Sequence, residues 1–275
     1  MPNRKTTLSV KRLIMKTMLK TSLLSLALAV VPTSAAFADV IDWSSDEGIS
    51  RLEQSHFKKD FFKLANFYDA QDNKVYCGVA STSIIMNALR VRQNVTEIPL
   101  DESTIAPEDR AYFPQGDWSP FYERYTQNTV LGHSAKTRLQ IMGQPVSEGA
   151  GPDYGLQLDQ MTDLVTSNHL KVKTVFVDNL DSKATMKAEL VHALETRDQY
   201  VVVNYSRKTL NQPGSGHYSP VGAYDKASDS FLIMDVSNAK ANWVWVDSDQ
   251  LFDAMATMDT KRNRGYLLIS EGLKG

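Results

Sequence analysis

Cys77 is the one cysteine in 275 residues, and it stands where a polar loop, Gln71-Asp72-Asn73-Lys74, gives way to an apolar run beginning Val75-Tyr76-Cys77-Gly78-Val79. A thiol at the start of a helix is suited to be a nucleophile, because the unpaired N–H groups of the first turn and a neighbouring imidazolium both favour the thiolate. The partners for such chemistry lie downstream at His217 and Asp235. His217 would protonate the leaving amine and Asp235 would hold the imidazole in the useful tautomer. Gln71, six residues before Cys77, offers a side-chain amide that could join the Cys77 backbone N–H as an oxyanion hole.

The elements that must position these groups follow from periodicity. Residues 39–70 read as helical, with Leu52, Phe57, Phe61, Phe62, Leu64 and Phe67 roughly on one side. From Gly78 to about Val91 the chain runs apolar without Pro or Gly, which predicts a buried helix led by the cysteine. Pro107, Pro114, Pro120, Pro145 and Pro152 make 101–156 a region of short helices and long loops, and helices are expected again near 157–169 and 184–197.

Beyond residue 170 the period shifts toward two. Strands are expected at 172–177, 200–205, 217–224, 231–236, 243–246 and 265–269. The polar stretch 225–230 joins two of them into an antiparallel hairpin. His217 opens the first strand of that hairpin and Asp235 closes the second, which brings the two within a few residues of each other at its far end, with no register fixed by the sequence. Helices followed by an antiparallel sheet are an α+β arrangement. The chain order Cys, His, Asp, with the thiol on a helix and its partners on a sheet, is the papain-like order.

Composition narrows the function. Residues 1–38 combine a basic start (Arg4, Lys5, Lys11, Arg12, Lys16, Lys20), an apolar run from Leu23 to Val31 and the small-residue end Ala36-Phe37-Ala38, the layout of a secretory signal peptide cleaved before Asp39. Met15 and Met18 are alternative starts. Its apolar run is too short to span a bilayer, so an exported protein without stable membrane insertion is expected, in a bacterial periplasm. Without these residues 24 Lys and Arg face 32 Asp and Glu, a formal charge of −8 that argues against nucleic acid and anionic membrane as partners. Residues 39–275 suit a single domain that needs no disulfide.

Each candidate also has a plainer reading. A lone cysteine is commonly a small buried hydrophobe. His217 follows Gly214-Ser215-Gly216 and would serve as a turn residue, and Asp235 as a strand end. His56, His133, His169 and His192 stand isolated, and no spacing suggests a metal site. The sequons at Asn94 and Asn204 carry no weight.

Three blocks nevertheless resemble the signature of phytochelatin synthase: Val75-Tyr76-Cys77-Gly78-Val79-Ala80-Ser81 with Asn87-Ala88-Leu89, Gly216-His217-Tyr218-Ser219-Pro220, and Leu232-Ile233-Met234-Asp235-Val236. The likeness extends through Asn204-Tyr205-Ser206-Arg207, Trp243-Val244-Trp245-Val246 and Arg264-Gly265-Tyr266, over most of residues 50–270. The resemblance implies a papain-like fold and γ-glutamylcysteinyl transfer. Cys77 would attack the Cys–Gly bond of glutathione, and the resulting thioester would pass to water or to a second glutathione. It assigns catalysis to Cys77, His217 and Asp235 and the oxyanion hole to Gln71. It assigns substrate binding to Arg207, Asp259 and Arg264, with Gly78, Gly216 and Tyr218 from the signature blocks.

This sequence has no Cys-rich region after its last expected strand, unlike the better-known eukaryotic members, and so resembles the short prokaryotic form in which hydrolysis to γ-glutamylcysteine predominates. No tightly bound cofactor is expected, and cadmium or zinc would act through glutathione thiolate complexes as substrate. The expected partners are glutathione and γ-glutamylcysteine peptides, with a homodimer suggested by the family. A general papain-like peptidase and a non-catalytic thiol- or peptide-binding protein are the competing readings.

Overall fold

The computed structural model describes residues 40–91, 98–113, 116 and 118–272. The expected signal peptide and the Asn94 sequon therefore fall wholly or partly outside the described residues. The helices are α1 (Asp46–Gln54), α2 (Phe61–Asn66), α3 (Cys77–Arg90), α4 (Gln127–Leu131), α5 (Arg138–Ile141), α6 (Leu158–Ser167), α7 (Lys183–Glu195) and α8 (Ser248–Met255). The strands are β1 (Ile41–Asp42), β2 (Leu170–Phe176), β3 (Gln199–Ser206), β4 (Gly216–Asp225), β5 (Ser230–Ile233), β6 (Val244–Asp247) and β7 (Gly265–Glu271). They form one antiparallel sheet in the order β1-β6-β5-β4-β3-β7-β2.

Both faces of this sheet are covered, which is why its central strands are apolar throughout instead of alternating. Tyr200 and Val202 of β3 join α3 and α6 in one core, whereas Val201, Val203 and Tyr205 join α7 and α8 in the other. A bulge between Val221 and Ala223 flips the parity of β4, so that Val221 and Tyr224 face the second core while Ala223 faces the first. The edges are blunted: β1 has two residues, and β2 turns Lys171 and Lys173 to solvent.

Helix α3 is the central element. Every residue from Gly78 to Arg90 is buried, as a helix enclosed on all sides requires. Its small polar residues are satisfied locally, with Ser81 Oγ donating to the Cys77 carbonyl at 2.8 Å and Thr82 Oγ1 to that of Gly78 at 2.9 Å. Asn87 and Tyr125 exchange two bonds of 2.8 Å, and Arg90 anchors the far end on Glu271 and the carbonyls of Asn168 and His169. The helix is thereby fixed along its length, and Cys77 is held at a fixed point.

In the helices the sequence-based reading differs from the structure as follows. The described residues 40–70 form two short helices and a strand rather than one helical stretch, because Ser55 adopts extended backbone and ends α1. Helix α8 was not expected; its start is marked by Asp247, whose side chain accepts from the N–H groups of Asp249 and Gln250.

Candidate active site

The N-terminus of α3 has no side-chain cap, and the backbone N–H groups of Gly78 and Tyr218 point instead at the Cys77 sulfur. Burial pushes the thiol up, but the His217 charge and hydrogen bond, with those two N–H groups, outweigh it and bring Cys77 below the usual thiol range. Burial likewise pushes His217 down, and the Cys77 charge and the hydrogen bonds to Asp235 and Cys77 reverse this, raising the imidazole above its ordinary value. Both shifts favour the thiolate–imidazolium pair.

The orientation of the ring follows from its second bond. His217 Nε2 lies 2.9 Å from Asp235 Oδ1, which leaves Nδ1 for the sulfur. The β4–β5 register explains the meeting. The Met234 N–H donates to the Pro220 carbonyl at 2.9 Å, so Asp235 arrives beside Ser219, two residues along the same face from His217. Strand β5 ends at Ile233, earlier than expected, and Asp235 sits just beyond the ladder.

Asp235 is fully buried and well supplied with donors. Its carboxylate accepts from Arg207 Nη2 at 2.7 Å, the Ser237 N–H at 2.7 Å and the Tyr205 hydroxyl at 3.2 Å, besides His217. Burial raises the carboxyl, and His217, Arg207 and the Ser237 N–H more than offset it, holding Asp235 below the usual carboxylate range. Tyr205 is the cross-strand partner of His217, and its ring stands edge-on to the imidazole at 5.8 Å. Tyr205 and Ser237 carry no local sequence signal of these roles, and only the pairing of β3 with β4 points to Tyr205.

Arg207, expected by resemblance among the substrate-binding residues, is folded onto Asp235. Its guanidinium is 3% exposed, with Nη2 ion-paired at 2.6 Å and Nη1 buried without a partner among the described residues. Gln71 donates Nε2 to the Asn73 carbonyl at 2.6 Å, leaving Oε1 buried and unpaired, and its backbone N–H bonds the Val236 carbonyl. The loop before Cys77 is thus pinned to the strand end that carries Asp235.

A cleft of about 310 Å³ opens on Cys77, and Asn204, Gly216, Tyr218, Asp259 and Arg264 line it. Asp259 and Arg264 come together because the chain turns tightly between the paired residues Met258 and Asn263. Arg264 Nη2 meets Asp259 Oδ1 at 2.9 Å and Nη1 the Thr257 hydroxyl at 3.0 Å, while Nε is buried without a partner. The glycines have steric reasons to be there. A Cβ on Gly216 would come within 2.8 Å of Arg264 Nη2, and one on Gly78 within 2.9 Å of the Met161 sulfur. Tyr218 accepts from Asn204 Nδ2 at 3.0 Å, which places the Asn204 sequon inside the protein.

A buried lysine builds the opposite wall. Lys136 Nζ donates at 2.8 Å to the Asp153 carboxylate and to the carbonyls of Asp153 and Gly155, and at 3.2 Å to Gln160. It fastens the segment whose Tyr154, Gly155 and Leu156 line the cleft. Lys136→Met removes a buried cation from partly exposed Asp153 and is expected to cost about 2 kcal/mol. The check is urea unfolding, where a midpoint equal to that of the unmodified protein would contradict this account.

Among the described residues no cluster of three or more His, Cys, Asp or Glu is placed to hold a metal ion, and no helix is long and apolar enough to cross a membrane. The comparisons with known proteins agree on one family. The family model described as phytochelatin synthase matches residues 33–100 and 110–266. A glutathione gamma-glutamylcysteinyltransferase 3 of Lotus japonicus is 28% identical over 237 residues, covering 84% of this chain and 42% of the relative. A glutathione gamma-glutamylcysteinyltransferase 2 of Arabidopsis thaliana is 27% identical over 84% of this chain and 44% of its own length. In Schizosaccharomyces pombe a glutathione gamma-glutamylcysteinyltransferase is 23% identical over 80% and 45%. This chain therefore spans less than half the length of these relatives.

Proposed function

The chain belongs to the phytochelatin synthase family, and from that membership and the geometry around Cys77 we propose that it is a papain-like glutathione γ-glutamylcysteinyl hydrolase and transferase. The observation that carries the reading is a thiol brought below its usual range by His217, itself aligned by buried Asp235, at the mouth of a cleft walled by Asp259 and Arg264.

In this reading the γ-glutamyl head of glutathione lies against Asp259 and Arg264. The carboxylate of Asp259 receives its ammonium, and the guanidinium of Arg264 takes its α-carboxylate. The Cys77 thiolate attacks the carbonyl of the Cys–Gly bond, and the C–S bond forms as the charge moves onto oxygen. The Cys77 N–H and the second N–H of the Gln71 amide stabilise that oxyanion. His217, protonated, gives its proton to the nitrogen of glycine, which leaves, and a γ-glutamylcysteinyl thioester stays on Cys77. The neutral imidazole then takes a proton from the acceptor. Water gives γ-glutamylcysteine, and the amine of a second glutathione gives (γ-Glu-Cys)2-Gly. Arg207 serves this cycle through Asp235 rather than through the donor substrate.

Cadmium or zinc enters as a glutathione thiolate complex, that is, as part of the substrate. Residues 1–38 direct export, and the bacterial periplasm is the compartment we assign.

The test is incubation of residues 39–275 with glutathione, with and without cadmium, and mass spectrometry of the products. Hydrolysis yields glycine and γ-glutamylcysteine in equal amounts, and glycine exceeds γ-glutamylcysteine by the units transferred wherever an acceptor amine outcompetes water and longer peptides form. Cleavage of unblocked α-peptides with no release of glycine from glutathione would replace this reading with a general peptidase.

A further inference from the structure

The chemistry at Cys77 leaves one hydrogen-bonded network beside the cleft unused. Gln157, the N-cap residue of α6, stands between the wall fastened by Lys136 and the turn that carries Asp259, and it bonds to both. Asp153 takes Lys136 Nζ on one carboxylate oxygen at 2.8 Å and Gln157 Nε2 on the other at 3.0 Å. Gln160 Oε1 accepts from the Gln157 N–H at 2.9 Å and from Lys136 Nζ at 3.2 Å. The start of α6 and the 153–157 wall are therefore one unit, centred on a lysine whose side chain is 4% exposed.

From this unit Gln157 reaches across to the turn. Its Nε2 also donates to Thr260 Oγ1 at 2.8 Å, and its Oε1 accepts from the Thr260 N–H at 3.3 Å. Thr260 follows Asp259 directly, in the turn closed by the pairing of Met258 with Asn263. The other side of the turn has its own anchors. Asn263 Nδ2 donates to the Val177 carbonyl at 2.9 Å, and Arg262 pairs with Asp178 at 2.6 Å while lying over the Phe176 ring. Asp259 thus hangs between two supports, the end of β2 on one side and Gln157 on the other. A turn held on one side only rocks about that anchor, and its carboxylate moves with it.

We propose that Gln157 is a positioning residue for substrate recognition: by pinning Thr260 it holds the Asp259 carboxylate where the γ-glutamyl ammonium must meet it. The inference rests on the proposed function, which gives Asp259 that task. A charge-assisted hydrogen bond depends steeply on distance and angle, so a carboxylate free to wander is competent in only a fraction of its positions, and affinity falls by that fraction. Arg264 also meets Asp259, at 2.9 Å. In the proposed complex, however, its guanidinium is shared with the substrate α-carboxylate, and the bonds from Gln157 are the support that substrate leaves untouched. The effect is confined to binding. Cys77 is set by α3 and His217 by the register of β3 on β4, so the bond-making step proceeds unchanged once substrate is seated.

The test compares Thr260→Val, which keeps the shape and removes the acceptor of the Gln157 Nε2 bond, with Thr260→Ser, which retains the hydroxyl, and with Gln157→Met. In glycine release from glutathione, KM is expected to rise about fivefold in T260V and about tenfold in Q157M, with kcat held within about twofold and T260S close to the unmodified protein. Combining Q157M with T260V should cost no more than Q157M alone, because both remove the same contact. Calorimetry of glutathione on a Cys77→Ala background should show the same factors without turnover. A fall in kcat with KM unchanged, a T260S variant as impaired as T260V, additive losses in the double variant, or unchanged calorimetric affinity would each overturn the proposal. Absence of glycine release from glutathione by the unmodified protein would instead remove the reading beneath it, while calorimetry still decides whether Gln157 supports glutathione binding.

Discussion

Cys77→Ala is expected to abolish release of glycine from glutathione, lowering kcat by about 10⁴-fold or more while leaving the protein folded. The size of the effect follows from removing the atom that forms the covalent bond, for which neither His217 nor the cleft can substitute. Folding should survive because the thiol is half-buried and makes no contact that α3 needs for its own stability. Activity should also carry the signature of the pair in its pH dependence. The Cys77 thiol lies low and the His217 imidazole high. The rate therefore rises as pH passes upward through the thiol's value and falls as His217 loses its proton, with the active window between the two. A variant that kept more than one hundredth of the wild-type rate would contradict the nucleophile assignment.

Arg207→Met is expected to give the largest loss of stability, about 3–5 kcal/mol, because it leaves the buried carboxylate of Asp235 without its permanently charged partner. Both groups are almost wholly enclosed, at 3% and 0% exposure, so water cannot replace the lost partner. The sign of the pH effect is fixed by linkage. Asp235 is held below its unfolded value of 3.8, so its contribution is present above that value and is lost as pH falls through the folded one. Removing Arg207 raises the folded value, and acid unfolding should shift to higher pH. Arg207→Lys should recover only part of the loss, since an ammonium offers a point charge in place of a planar donor set. Urea unfolding at neutral pH and an acid titration measure both effects. A loss under about 1 kcal/mol, or an unmoved acid transition, would mean that the pair is not the support described.

The fate of Arg207 illustrates what the sequence made legible and what it did not. The hairpin carrying His217 and Asp235 was readable because its strands are apolar on both sides of one polar turn, and period alone places its ends together. The helix led by Cys77 was readable for the same reason. The partner of a particular arginine is not written in local pattern. Arg207 follows β3 directly, and only the register of β3 on β4, with Tyr205 opposite His217, brings it to Asp235. A guanidinium before a strand-opening histidine looks alike whether it faces a ligand or a buried carboxylate.

Other features were illegible because they depend on long-range closure. Lys136 lies in a proline-rich region without period, and its acceptors come from a loop and the first turn of α6. Asp259 and Arg264 are marked in the sequence by resemblance alone, and the tight turn that joins them emerges only when Met258 pairs with Asn263. Gln71 is marked by its distance from Cys77 and by resemblance, and the structure adds the bond from its backbone to Val236 that holds the loop in place. The substrate-facing surface is therefore the part where coordinates add most, and the catalytic line along α3 and β4 the part where they add least.

The most direct test of the central claim is the mass of the protein quenched in acid while it turns over glutathione, followed by mapping of any adduct. The account predicts a gain equal to one γ-glutamylcysteinyl group on the peptide containing Cys77, removed by hydroxylamine with formation of γ-glutamylcysteine hydroxamate. Glycine release with Cys77 unmodified and no hydroxamate formed, or an adduct on any other residue, would contradict it.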